Sequence, residues 1–181
     1  MTVELVSFAN LKNYLSLSGA TINEYPDLAV IKDSVVYAIE AYLDREIESK
    51  ARSETIYINS STQMLKLCAI PISSVASLSV EIDGESETYS SDDYTITEYG
   101  LKLYTGISNA IVSITYTGGL STIPSDIERA ALIQTAYEFQ TKDNVGAKRV
   151  RNDGGSVETP ELGLLKETKR MLNKYIHPMR W

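Results

Sequence analysis

The sequence predicts an α+β protein: an antiparallel helical bundle of about four helices, with a β-rich antiparallel insertion between the second and third. Three observations predict it. Apolar residues recur at spacings of three and four on both sides of residues 53–117, the period of amphipathic helices. Between those flanks they alternate with polar residues, and 53–122 contains 22 Ser and Thr. Asp83-Gly84, Ser90-Ser91-Asp92-Asp93, Gly100 and Gly106 punctuate the alternation with turn chemistry. On this reading 1–52 and 118–181 form the helical domain and 53–117 the insertion.

Each element has its own signal. Ser7 ahead of Phe8, Leu11, Tyr14 and Leu15 reads as an N-cap and a short first helix, stopped by Ser18-Gly19. From Pro26 the stripe Leu28, Ile31, Val35, Ala38, Ile39, Tyr42 and Leu43 predicts a longer helix running to near Ile47. Asp33, Glu40, Asp44 and Glu48 lie largely off that stripe. About six short strands follow, at 55–58, 64–67, 78–82, 94–97, 101–104 and 110–116, arranged as antiparallel hairpins. Ser125 with Glu128 is a capping-box spacing after Pro124. The helix it opens carries Ile127, Ala130, Ala131, Leu132, Ile133, Ala136, Tyr137 and Phe139, an apolar surface wide enough for burial on more than one side. Residues 141–160, rich in Asn and Gly and carrying Lys148, Arg149 and Arg151, read as a mobile arm. A last helix from about residue 161 puts Leu164, Leu165, Thr168, Met171, Leu172, Tyr175 and Ile176 on one stripe before His177-Pro178 stops it. That stripe suits the chain's own helices and a second subunit equally. Met179, Arg180 and Trp181 beyond it are types enriched at interface anchors.

Composition removes several classes of function. With 181 residues, 43% hydrophobic and 23% charged, the chain reads as a soluble domain, without a membrane span or signal peptide, used in a cytoplasm-like compartment. One cysteine, Cys68, makes no internal disulfide, and one histidine, His177, cannot complete a zinc set. The net charge of −7 divides into −10 for residues 1–100 and +3 for 101–181. An acidic body lacks the concentrated Lys and Arg through which general nucleic-acid binders displace counterions.

No catalytic constellation is visible, so the chain reads as a non-enzyme with no cofactor. Gly118-Gly119 and Gly154-Gly155 lack the pattern of a phosphate loop and read as turns. His177, near a helix C-terminus that favours positive charge, has no partner set for catalysis. Cys68 sits in an apolar run and reads as a small buried hydrophobe. Asp83, Glu85, Glu87, Asp92 and Asp93 match no calcium-loop spacing. Lys148, Arg149 and Arg151 suit phosphate, an acidic partner surface or plain solvent. Twelve Tyr against two Phe fits a thin protein with much interface, and equally the solvent side of a small sheet.

The order of elements, the segment FANLKNYLSL at 8–17, the helix ending Ala41-Tyr42-Leu43-Asp44-Arg45, and above all VSITYTGGLSTIPSDIERAALIQTAYEF at 112–139 resemble the head-tail connector, or adaptor and head-completion, family of tailed bacteriophages. The resemblance extends over nearly the whole chain and rests on packing and turn motifs. It implies a structural virion protein of the neck, assembled in the host cytoplasm. Such a protein forms a homo-oligomeric ring, usually of twelve, beneath the portal protein at the DNA exit vertex, and joins the head to the tail or to a further head-completion protein. Carried onto this chain, it implies portal docking by Leu164, Leu165, Met171, Leu172, Tyr175, Ile176, Arg180 and Trp181, and ring contacts from helices 28–47 and 127–139. Glu40, Asp44 and Glu48 are then channel-facing, because an acidic wall lets DNA pass without holding it; Lys148, Arg149 and Arg151 form a basic arm. The enlarged β region is a departure from compact members. The other reading is a different small virion component, a tail terminator or baseplate piece.

Overall fold

The computed structural model describes residues 5–19, 21–144, 149–152, 155–158 and 163–178. The chain divides into two compact units, one helical (Glu4–Leu43 and Pro124–Tyr175) and one β (Asp44–Ile123 with the described C-terminal residues Ile176, His177 and Pro178).

In the helical unit, α1 (Phe8–Leu15), α2 (Pro26–Leu43) and α4 (Lys166–Leu172) all pack against α3 (Ser125–Thr141). Ser7 caps α1 as its sequence position predicts: its Oγ accepts the Asn10 N–H at 3.2 Å. Leu11, Leu28, Val35, Ile39, Leu43, Ile127 and Leu172 are buried, and Ala130, Ala131 and Ala136 keep the buried side of α3 slender enough for neighbours to approach. Three boundaries differ from expectation. α2 ends at Leu43, because Asp44 adopts the left-handed conformation, φ 55°. α3 is capped by the extended Pro124, whose carbonyl accepts the Ile127 and Glu128 N–H groups at 2.9 and 3.1 Å, so Ser125 is already helical and makes no capping box. α4 starts at Lys166, after Gly163 takes φ 85°.

In the β unit, β1 (Lys50–Ile58), β3 (Ile72–Ile82), β4 (Glu85–Thr88) and β7 (Ala110–Gly118) form a four-stranded sheet in the order β1-β7-β3-β4. β2 (Thr62–Leu65), β5 (Tyr94–Thr97) and β6 (Gly100–Ile107) form a three-stranded sheet in the order β2-β6-β5. All pairings are antiparallel. Alternate residues of both sheets meet in one buried cluster: Leu65, Leu101, Leu103 and Ile107 from the smaller sheet, Leu78, Val80, Val112, Ile114 and Tyr116 from the larger. The outward face of the larger sheet is hydroxylic, with Thr55, Ser113, Ser79 and Thr88 aligned across its four strands. Just after β7, Gly119 takes φ +111°, and a Cβ there would overlap the carbonyl of Glu48, two residues ahead of β1.

This corrects the predicted fold class. The protein is not a helical bundle bearing an insertion; it is a mixed fold whose two antiparallel sheets carry a strand-rich core of their own. The physical reason lies in the alternation itself: strands with one apolar face can form two sheets that shield one another from water without borrowing a helical scaffold. β4 escaped prediction because Glu-Ser-Glu-Thr contains no apolar residue, and every residue in it is exposed. Part of the expected arm is also paired, as an antiparallel ribbon of β8 (Arg149–Asn152) and β9 (Gly155–Glu158).

Candidate functional site

The C-terminal stripe is partly consumed within its own unit. Leu164, Thr168 and Leu172 are buried, whereas Leu165, Met171, Tyr175 and Ile176 are half-buried; Arg180 and Trp181 lie outside the described residues. A single side chain of α3 holds the approach to α4. The Gln134 Oε1 accepts the Leu165 N–H at 2.9 Å, and its Nε2 donates to the Gly163 carbonyl at 3.1 Å and to Glu138 at 2.8 Å. Lys174 reinforces the same region by pairing with Asp126 at 2.6 Å. Gln134 is fully buried and was passed over in the sequence because a glutamine inside an apolar run reads as the solvent side.

The three acidic positions divide between the two units. Glu40 is half-buried on α2 in the helical unit. In the β unit, Asp44 pairs with Lys66 at 2.5 Å, and Glu48 forms a backbone bridge to Leu120 while its carbonyl accepts from Arg52 at 2.8 Å. Of the basic arm, Arg149 and Arg151 belong to β8, and Lys148 lies outside the described residues.

The groups weighed for chemistry have structural surroundings. Cys68 is exposed, not buried as its apolar neighbours suggested, because it sits on a loop outside the strand alternation. Partial burial of the thiol and then the nearby Glu54 carboxylate push its pKa up to about 11, so it is a weak nucleophile. His177 is buried, and that burial, with the Lys66 charge adding to it, holds its pKa below the ordinary imidazole value. Burial thus opposes the positive charge that a helix end favours. Asp93 closes its turn by accepting the Ser90 N–H at 2.7 Å and the Ser90 hydroxyl at 2.8 Å, which lowers its pKa. Among the described residues, no group of three or more His, Cys, Asp or Glu is placed to hold a metal ion, and no helix is long and apolar enough to cross a membrane.

Val30 and Tyr37, two turns apart on α2, are exposed. The sequence model of the head completion proteins matches residues 4–175, almost the full length. The chain belongs to the head completion protein family. This bears out the resemblance read from 112–139 and the expectation of a structural virion protein. Solved structures of similar fold come from gene transfer agent particles. They are the neck of an empty particle computed with C6 symmetry (16% identity, TM-score 0.62, covering 100% of this chain and 97% of that one), the virion of the native particle (15%, 0.64, 100% and 95%), and the neck of the native particle computed with C12 symmetry (15%, 0.54, 100% and 97%). At these identities the likeness is one of fold. No curated protein matches the chain.

Proposed function

We propose that this head completion protein closes into a homo-oligomeric ring in the neck of a phage-like particle, under the portal and above the tail or a further completion protein, with DNA passing through its channel. The family match over residues 4–175 carries the reading. Ring symmetry is supported by the similar folds found in necks computed with C6 and C12 symmetry, and twelve copies fit both. The role is one of assembly and conduction rather than catalysis.

Portal docking falls to the C-terminal segment: Leu165, Met171, Tyr175 and Ile176 are half-buried and keep apolar area for a partner, Leu164 and Leu172 are buried beside them in sequence, and Arg180 and Trp181, outside the described residues, belong to the same proposed set. Val30 and Tyr37, 70% and 73% exposed, are apolar area available on α2 for ring contacts. Glu40, Asp44 and Glu48 are the channel-facing candidates. Carboxylates at the wall give phosphate no attractive well, and Asp44 contributes least because Lys66 offsets its charge.

The test is the mass of the purified protein by light scattering, alone and with the portal of the same virus. A jump to a closed ring that retains portal is the expected result. A monomer that ignores the portal would place the protein elsewhere in the virion, at a tail terminator or baseplate.

A further inference from the structure

The four-stranded sheet ends in two open edges. Among the described strands β1 pairs only with β7, and β4 only with β3. The registers fix which backbone groups stay open. The Tyr89 N–H donates to the Leu78 carbonyl at 2.8 Å, so along β4 the groups of Glu87 and Glu85 turn toward β3, and those of Ser86 and Thr88 turn away from it. Carried across the sheet, the same alternation makes Ser79 and Ser113 a hydrogen-bonded pair, and then Val112 with Ile56 and Ile114 with Glu54. The backbone groups of Ser53, Thr55 and Tyr57 are left facing out from β1. The Ser53 and Thr115 hydroxyls lie 2.9 Å apart, as suits the closer, non-hydrogen-bonded kind of pair. Ser53, Thr55, Tyr57, Ser86 and Thr88 are all exposed.

The two edges match in face, direction and charge. The open residues of both stand on the outward, hydroxylic side of the sheet, and the two side chains of a hydrogen-bonded pair must share a side. Three successive antiparallel pairings make β1 and β4 run in opposite directions. Neighbours in a ring of many copies are turned only slightly from one another, so β4 of one meets β1 of the next antiparallel. β4 carries Glu85 and Glu87 and no cation, whereas β1 carries Lys50 and Arg52 against Glu54. Pairing of β4 with a second β4 sets carboxylate against carboxylate; pairing with β1 brings opposite net charges together.

We propose that β4 of one copy pairs with β1 of the next, so that the sheet runs unbroken across the subunit boundary. Ser86 then pairs with Tyr57 and Thr88 with Thr55, which continues the aligned row of Thr55, Ser113, Ser79 and Thr88 into the next copy. Glu85 and Glu87 stand opposite Ile58 and Ile56. Sliding the strands by two residues would set Glu87 against Glu54, and by four Glu85 against Glu54, so repulsion selects the first register. The contact is heterologous, since acceptor and donor edges are different surfaces of one subunit, and repeated contacts of that type close into a ring. The inference rests on the ring assembly proposed above and names the strands that would join it.

Cysteine pairs in a Cys68→Ser background test it: Ser86→Cys/Tyr57→Cys, and as the offset control Ser86→Cys/Ser53→Cys. Within one chain the two edges are three strand spacings apart, about 14 Å, too far for a disulfide, so any cross-link joins copies. With the portal present and a mild oxidant, non-reducing electrophoresis should show a ladder of covalent multimers from the first pair and monomer from the control. A second variant, Ser86→Pro, removes an N–H that faces away from β3, which an edge strand tolerates. It should melt like the wild type by circular dichroism and form no ring by light scattering. If proline unfolds the protein, the cysteine ladder decides. Rings without a ladder from the first pair, a ladder from the control instead, or a folded Ser86→Pro that assembles like the wild type would overturn the contact and leave ring formation standing. A wild type that stays monomeric with portal would bring down the ring and this contact together.

Discussion

The Tyr116 hydroxyl on β7 donates to the Glu54 carboxylate on β1 and at the same time accepts the Ala69 N–H at 3.1 Å, tying two strands of one sheet to the loop that leads to the next strand. Glu54 also accepts the Cys68 N–H at 3.2 Å, so loop and strand are held from both sides. Tyr116→Phe keeps the ring and removes the hydroxyl, leaving a carboxylate and a buried N–H each short of a partner. The expected loss is about 2 kcal/mol, the range for hydrogen bonds to charged groups, which is a fall in Tm of about 4–8 °C for a chain of this size. A loss below about 0.5 kcal/mol in urea unfolding would show that the pair is dispensable. Burial first, and Glu54 with it, raises the Tyr116 pKa, so the contribution is full below the ordinary tyrosine value and is lost as pH rises above it.

Cys68 should be slow to react although it is exposed. With its pKa pushed up to about 11 from 9.0, the thiolate at pH 8 is scarcer by about two powers of ten. Higher basicity makes the remaining thiolate a better nucleophile, recovering about eightfold. The net expectation is exchange with an aromatic disulfide reagent about tenfold slower in the folded protein than in the same chain in urea. Glu54→Gln should speed it, since the carboxylate raises the pKa both by its charge and by hydrogen bonding. Equal rates for folded and unfolded protein would remove Glu54 and burial as the cause.

Where the sequence was legible, a single physical signal dominated. Ser7 was readable as a cap because only a short polar side chain satisfies the free N–H at that point, and the stripes of α2 and α3 were readable because burial is one-sided. Strand alternation located six strands but not their partnership, since pairing of β1 with β7 across more than fifty residues leaves no local trace. β4 was invisible because an edge strand exposed on both faces needs no apolar residue. The C-terminal stripe followed the same division. Leu172 was legible as part of a stripe, yet its burial within its own unit was not, because periodicity shows that a face is covered and not by what. Gln134 and the Glu54–Tyr116 pair were missed because buried polar groups are defined by partners distant in sequence.

His177 makes the β unit sensitive to mild acid. Its pKa is lowered in the folded state, mainly by burial, so the unfolded chain takes up the proton first and stability falls as pH drops below the ordinary value of 6.5. The fall has a ceiling of about 1.4 kcal/mol per pH unit for one group. Urea midpoints measured at pH 7.5 and pH 5.5 should differ in the wild type, and the difference should shrink in His177→Gln. Asp93 acts in a separate window: its pKa is lowered by the Ser90 N–H, so its contribution is lost only as pH falls below about 3.8. An unchanged midpoint between the two pH values would mean that the imidazole is as easily protonated folded as unfolded.

Gln134 is the link by which α3 holds the C-terminal segment, and Gln134→Leu separates its packing from its hydrogen bonds. Leucine fills nearly the same volume in the buried site but leaves the Leu165 N–H and the Gly163 carbonyl without their side-chain partner. The expected loss of stability is about 1 kcal/mol, the usual net worth of a hydrogen bond, since both backbone groups are only part-buried. It should be local. Hydrogen exchange of the α4 amides should quicken by more than that of α1 or α2, because the segment has lost its anchor while the rest of α3 keeps its packing. The proposed docking role adds a consequence for assembly: a helix held in advance loses less entropy on binding a partner than one that must be ordered at that moment. Gln134→Leu should therefore weaken portal retention while leaving the fold intact by circular dichroism. Unaltered α4 exchange, with portal retention as in the wild type, would mean that the apolar contacts of Leu164 and Leu172 hold the segment without help.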